Sequence, residues 1–191
     1  MSCGVPMNKR LVLLDRDGVL NVDTGYVHTA AQWQWIPGAP EAIAYLSECG
    51  CRIAVVTNQS GIARGMYTEG QVQELQRFVN HQLAMTGGQI DRFYYCPHLP
   101  QAPIAKYDCV CECRKPSPGM IVRALQDFDC KPCEAVLIGD SARDLEAARR
   151  AEVDAYLFAG GNLYEFVRAL RMGEGAHESD DDGTAETNIN Y

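Results

Sequence analysis

Leu11-Val12-Leu13-Leu14-Asp15-Arg16-Asp17-Gly18 is the stretch on which the fold turns. A short apolar strand that ends in two carboxylates spaced i, i+2 sets both on one side of the chain, at the carboxyl edge where open α/β sheets hold their ligands. An aspartate nucleophile would sit at this point. Alone, an Asp-x-Asp pair is more often a solvated turn or a fragment of a calcium loop. Here three more pieces follow in order. Thr57-Asn58 comes after Ile53-Ala54-Val55-Val56, and Lys115 lies in Cys113-Arg114-Lys115-Pro116. Gly139-Asp140-Ser141-Ala142-Arg143-Asp144 comes after Ala135-Val136-Leu137-Ile138.

Outward from that stretch the chain alternates. Strand signals at Arg10 to Leu14, Arg52 to Thr57, Arg92 to Tyr95, Ala135 to Ile138 and Ala155 to Phe158 are separated by helical stretches. The first helix runs from Ala39 to Glu48 and is closed by Gly50. Thr68 to Met85 is opened by a Thr68/Gln71 capping box and closed by Gly87-Gly88. Ser117 to Phe128 has Ser117 as N-cap and Pro118 at its first turn, and Ala142 to Ala151 and Leu163 to Leu170 complete the set. This pattern predicts an α/β fold, a Rossmann-like, mostly parallel sheet with helices on both faces.

The 191 residues suit one domain over 1–172, followed by a disordered acidic tail over 173–191. The net charge of −8 is concentrated in that tail, whose six acidic residues have no Lys or Arg beside them. Without the tail the count is 17 basic against 19 acidic residues, so no basic stripe points to nucleic acid. No apolar run approaches the ~20 residues of a membrane span, and Met1 to Pro6 has no signal-peptide core. A cytoplasmic protein that neither enters a membrane nor binds nucleic acid is expected, working as a monomer.

Nine cysteines, an odd number, argue for reduced thiols and a metal rather than a disulfide framework. Cys96-Pro97-His98 and Cys111-Glu112-Cys113 bracket a loop at about 96–113. Three thiols and an imidazole in two close pairs suit a tetrahedral zinc site, Cys96, His98, Cys111 and Cys113. Four protein ligands leave no open position, which marks the zinc as structural. Cys109 competes for a place, because Cys109-x-Cys111-x-Cys113 offers three thiols for two positions. Cys130-Lys131-Pro132-Cys133 has the spacing of a redox pair but lies between a helix end and a strand, not at the helix N-terminus that gives a redox cysteine its low pKa.

Together the four pieces resemble the haloacid dehalogenase (HAD) superfamily, whose members hydrolyse phosphate esters through an aspartyl-phosphate. The resemblance implies that Asp15 attacks phosphorus and that Asp17 serves as general acid and then general base. Thr57 would bond a phosphoryl oxygen and Lys115 would neutralise charge. Mg²⁺ would be held by Asp15, Asp140 and the backbone carbonyl of Asp17. Asp144 would orient Lys115 or a metal-bound water. Residues 15–38 and 96–114, where such enzymes often insert a cap domain, are too short for one, so a capless enzyme is expected.

Asp23-Thr24-Gly25-Tyr26-Val27-His28, Thr57-Asn58-Gln59-Ser60-Gly61-Ile62-Ala63-Arg64-Gly65, Tyr95-Cys96-Pro97-His98 and Cys113-Arg114-Lys115-Pro116-Ser117-Pro118-Gly119 narrow the likeness. They resemble the heptose 1,7-bisphosphate phosphatase branch, which is capless, Mg²⁺-dependent and zinc-clipped. That branch removes the 7-phosphate of a phosphosugar on the route to bacterial surface polysaccharide. It implies substrate contacts from Asp23, Thr24, Gly25 and Tyr26, from Thr57, Asn58, Gln59 and Ser60, and from Arg114 and Lys115. Arg114 suits the second, non-reacting phosphate, which a guanidinium can grip bidentately. Ser141 stands where some members carry a lysine. The alternative substrates are histidinol phosphate or another small sugar phosphate. The alternative of another class is a catalytically silent, zinc-stabilised phosphosugar-binding module.

Overall fold

The computed structural model describes residues 10–170. Its order is β1 (Leu11–Leu14), α1 (Ala39–Glu48), β2 (Arg52–Asn58), α2 (Glu69–Ala84), β3 (Arg92–Cys96), α3 (Gly119–Asp127), β4 (Ala135–Gly139), α4 (Ala142–Arg150), β5 (Asp154–Leu157) and α5 (Leu163–Ala169), with single 3₁₀ turns between some of them. The five strands are all parallel, in the order β3-β2-β1-β4-β5.

Strand periodicity divides the core. Val12 and Leu14 of β1, with Ile53, Val55, Val136 and Ile138, pack under α1, α2 and α5. Leu11 and Leu13, with Ala54, Val56 and Leu137, pack under α3 and α4. Because both faces are covered, β1 and β4 read as unbroken apolar runs without polar alternation, whereas the edge strands β3 and β5 are half-exposed. The chain leaves β1 in one direction towards β2 and β3, then crosses back to β4 and β5. The crevice between the carboxyl ends of β1 and β4 is therefore the place where a doubly wound sheet receives its ligand. Asp15 and Asp140 stand there.

The layers are those expected, and the differences are local. β2 and β3 each run one residue further, because Asn58 pairs with Cys96; β5 begins one residue earlier, at Asp154. Ser117 is not the N-cap of α3: the helix starts at Gly119, with Pro118 as N-cap. The amide of Ser117 closes a turn onto the Arg114 carbonyl, and Gly119 donates to the Glu112 carbonyl so closely that a Cβ at 119 would collide with it. The Thr68/Gln71 box on α2 is present in both directions. Between β1 and α1, and between β3 and α3, there is only a single 3₁₀ turn each, so no cap is inserted. Among the described residues no helix is long and apolar enough to cross a membrane. The acidic stretch 173–191 lies outside the described residues.

Candidate active site

Strand parity puts Asp15 on the α3/α4 side of β1, facing Lys115. The lysine ammonium lies 2.9 Å from Asp15 Oδ2 and 2.5 Å from Asp144 Oδ1, and donates to the Val56 carbonyl at 2.7 Å. All three side chains are buried, so the ammonium's charge is met at close range by two carboxylates and a carbonyl. The backbone of Lys115 is bracketed as well. Asn58 donates to its carbonyl through Nδ2 and accepts from its amide through Oδ1, both at 3.0 Å. Asn58 lines the cavity, yet its amide group is already engaged at both ends by the lysine.

The electrostatics follow from that burial. Desolvation pushes the Asp15 carboxyl up to about 6, against the pull of Lys115. Burial acts most strongly on Asp144 and raises it, but the charge and hydrogen bond of Lys115, the Ser141 hydroxyl and the charge of Arg143 together outweigh it and hold Asp144 below the usual carboxylate range. Ser141, the N-cap of α4, bonds Asp144 through both its backbone amide and its hydroxyl. Burial and the nearby Asp144 raise Asp140.

Carboxylate oxygens of Asp15, Asp140 and Asp144 lie within 4.8 Å of one another. Asp140 Oδ1 is buried with no hydrogen-bond partner. An unpartnered buried carboxylate oxygen is costly, and a hard divalent cation with oxygen preference fits it. Gly18 leaves the room, since a Cβ at that left-handed position (φ +83°) would collide with the Asp140 carboxylate.

The side chain of Asp17 does not join this cluster. Arg16 reaches both of its oxygens through Nη2, at 2.8 and 2.9 Å, Asn21 donates to Oδ1 at 3.0 Å and Gln59 to Oδ2 at 3.1 Å. Arg16 also donates to the Val27 carbonyl at 2.7 Å, which ties Asp17 to the loop carrying Asp23, Gly25 and Tyr26. What Asp17 can offer a cation is thus its backbone carbonyl.

Asp15, Asp17, Asp23, Gly25, Tyr26, Thr57, Asn58, Gln59, Ser60 and Arg114 line one cavity above this floor. Lys115 lies beneath it. Thr24 is exposed on the same loop but does not line it. Tyr67 and Arg143 line it too, and sequence reasoning missed both. Arg143 had a signal: in the first turn of α4, just beyond Asp140, it stands at the carboxyl edge of the sheet where such a site is built.

At the cavity's flank, the sulfurs of Cys96, Cys111 and Cys113 lie 3.1 to 3.5 Å apart, and His98 Nδ1 is 3.3 Å from Cys113 and 3.7 Å from Cys96. A tetrahedron with ~2.3 Å zinc–sulfur bonds has edges of about 3.8 Å, so the four groups need only a slight expansion to fit. Cys109 stays outside the cluster. Hydrogen bonding with Cys96 brings the Cys113 thiol down to about 5. The outer part of the loop is fixed separately. Glu69 accepts from Lys106, Tyr107 and Tyr95, with Lys106 first among the causes that bring its carboxyl down to about 2.

Comparison with known proteins agrees with this geometry. Residues 12–101 match the family model of haloacid dehalogenase-like hydrolases, and residues 112–170 match a HAD-hydrolase-like model. The D-glycero-β-D-manno-heptose-1,7-bisphosphate 7-phosphatase of Rhodopseudomonas palustris is 39% identical over 89% of this chain and 94% of its own length. That of Yersinia pestis is 42% identical over 74% and 76%. A crystal structure of D,D-heptose 1,7-bisphosphate phosphatase from B. bronchiseptica, complexed with magnesium and phosphate, is 34% identical with a TM-score of 0.72, covering 86% of this chain and 87% of that one.

Proposed function

We infer the reaction from kinship and geometry together: the chain belongs to the D-glycero-β-D-manno-heptose-1,7-bisphosphate 7-phosphatase family of HAD-like hydrolases, and it is a phosphoric monoester hydrolase. We assign it removal of the 7-phosphate from a heptose 1,7-bisphosphate. The observation that carries the assignment is the buried Asp15–Lys115–Asp144 array opening into a cavity rimmed by two arginines.

An Asp15 oxygen forms a bond to phosphorus as the bond from phosphorus to the sugar oxygen breaks, and Asp17 gives its proton to that oxygen. Thr57 and Lys115 hold the phosphoryl oxygens. Water then attacks the aspartyl-phosphate, its proton passes to Asp17, and inorganic phosphate leaves with the Asp15 carboxylate restored. Asp15, Asp140 and the Asp17 carbonyl would hold Mg²⁺, which when bound screens the charge of the phosphate dianion. We assign the protein a monomeric state. The thiols of the zinc loop suit a reducing compartment such as the cytoplasm.

Relative kcat/KM on α- and β-heptose 1,7-bisphosphate, fructose 1,6-bisphosphate and histidinol phosphate tests the assignment. A preference for histidinol phosphate would overturn the sugar. Arg114, which among the described residues uses one donor, on the His98 carbonyl at 3.3 Å, is the group for the distal phosphate. Arg114→Ala should cost roughly 30- to 150-fold in kcat/KM on the bisphosphate, the loss of ~2 to 3 kcal/mol of charge-assisted contact, and far less on an aryl monophosphate. Equal losses would make Arg114 part of the general phosphoryl site.

The four-ligand cluster is the zinc clip in this reading. A strong chelator should lower the melting temperature, whereas withdrawal of Mg²⁺ should stop turnover and leave the rest of the fold intact. Cys109→Ser should keep its zinc and Cys111→Ser should lose it, by metal analysis of the purified proteins. The opposite pattern would move the site by one pair.

A further inference from the structure

Behind Asp17 lies a chain of contacts that leads through Gln59 to Tyr67. Tyr67, buried just before the cap of α2, donates its hydroxyl to Gln59 Oε1 at 2.7 Å. That contact decides which end of the amide faces the site, so Gln59 Nε2 donates to Asp17 Oδ2 at 3.1 Å and to Thr57 Oγ1 at 2.9 Å. With the amide turned over, a carbonyl oxygen would face a carboxylate. Burial raises the Tyr67 hydroxyl to about 12, so it remains a proton donor across neutral pH.

The ring is seated as firmly as the hydroxyl. It stacks on His28 at 4.9 Å between centroids and 13° between planes, and a Cβ at Gly61 would collide with it. The imidazole in turn lies 2.7 Å from the Tyr26 carbonyl through Nδ1, on the loop that forms one wall of the cavity.

We propose that Tyr67 is a positioning residue for leaving-group protonation, acting through Gln59 to hold the Asp17 carboxyl in place at the reacting phosphoryl group. The proposal deepens the phosphatase reading above and rests on Asp17 being the general acid.

Tyr67→Phe keeps the ring, its stacking and its fit over Gly61, and removes only the hydroxyl. The readout is kcat/KM, which reports steps up to departure of the leaving group, across phosphate monoesters from alkyl esters to a dinitrophenyl ester. A loss of about five- to tenfold is expected on alkyl esters, where one neutral hydrogen bond is at stake. The dinitrophenyl ester, whose leaving group needs no proton, should lose less than about twofold. A uniform loss, or none, overturns the proposal. In a Gln59→Leu background, adding Tyr67→Phe should change nothing further, whereas losses that multiply would show that the tyrosine acts by another route. If Gln59→Leu does not fold, the leaving-group series decides alone. Asp17→Asn is the control for the parent reading. A loss there that ignores the leaving group removes Asp17 as the acid and this proposal with it, while a leaving-group-dependent loss beside an indifferent Tyr67→Phe overturns only the proposal.

Discussion

Asp15→Asn is expected to abolish turnover, with kcat falling by about 10⁴-fold or more, while the protein stays folded. An amide neither attacks phosphorus nor serves well as a Mg²⁺ ligand. The stability half of the expectation comes from the burial of this group. A carboxyl pushed up to about 6 is one that the fold prefers protonated, so at neutral pH its ionised form works against the native state. Asparagine resembles the protonated form, and Lys115 retains Asp144 as its counterion. The metal-free variant should therefore melt no lower than wild type, and Mg²⁺ should stabilise it less. More than a few per cent of wild-type kcat in a purified, folded sample would remove Asp15 from the mechanism.

Lys115→Met is expected to lose both activity and fold. The substitution keeps most of the side-chain volume but leaves two buried carboxylates without their shared cation, a situation that costs about 3 to 5 kcal/mol. In a domain of this size that is a fall of roughly 10 °C in melting temperature. The pH dependence gives the sign. In the wild type Lys115 lowers Asp144, so the pair's stabilisation is present above the unfolded carboxylate value and fades as the pH drops. In the variant the strongest opposition to burial is gone and both carboxyls rise, so the deficit should narrow steadily as melts are repeated from neutral towards acid pH. Melting curves that coincide at neutral pH would show that the array contributes nothing to stability.

The sheet and its carboxyl-edge carboxylates were legible because their signals are local. Leu11 to Leu14 is apolar on both faces, and the two close pairs of zinc-loop residues are spaced for one tetrahedral ion. Arg16 was not legible. Strand alternation turns it away from Asp15, and its grip on Asp17 depends on the path of the loop that brings the Val27 carbonyl beneath it. Tyr67 reads in the sequence only as the residue before a helix cap; the fold of residues 59–67 makes it a neighbour of Gln59. Asn58 fits a substrate contact by position, yet the return of the zinc loop engages its amide with Lys115. The start of α3 was misread because Ser117-Pro118 is a strong helix-start signal. The close packing of Glu112 on Gly119, a contact between residues seven apart, overrides it.

With no domain inserted at either usual position, nothing among the described residues forms a lid over the crevice between β1 and β4. In enzymes that close on their substrate, a poor ligand can be rejected a second time when the lid fails to shut, and reopening can limit the rate. The described residues supply neither checkpoint, so selection is expected once, at docking, by side chains that already stand in place, with product release not governed by a hinge.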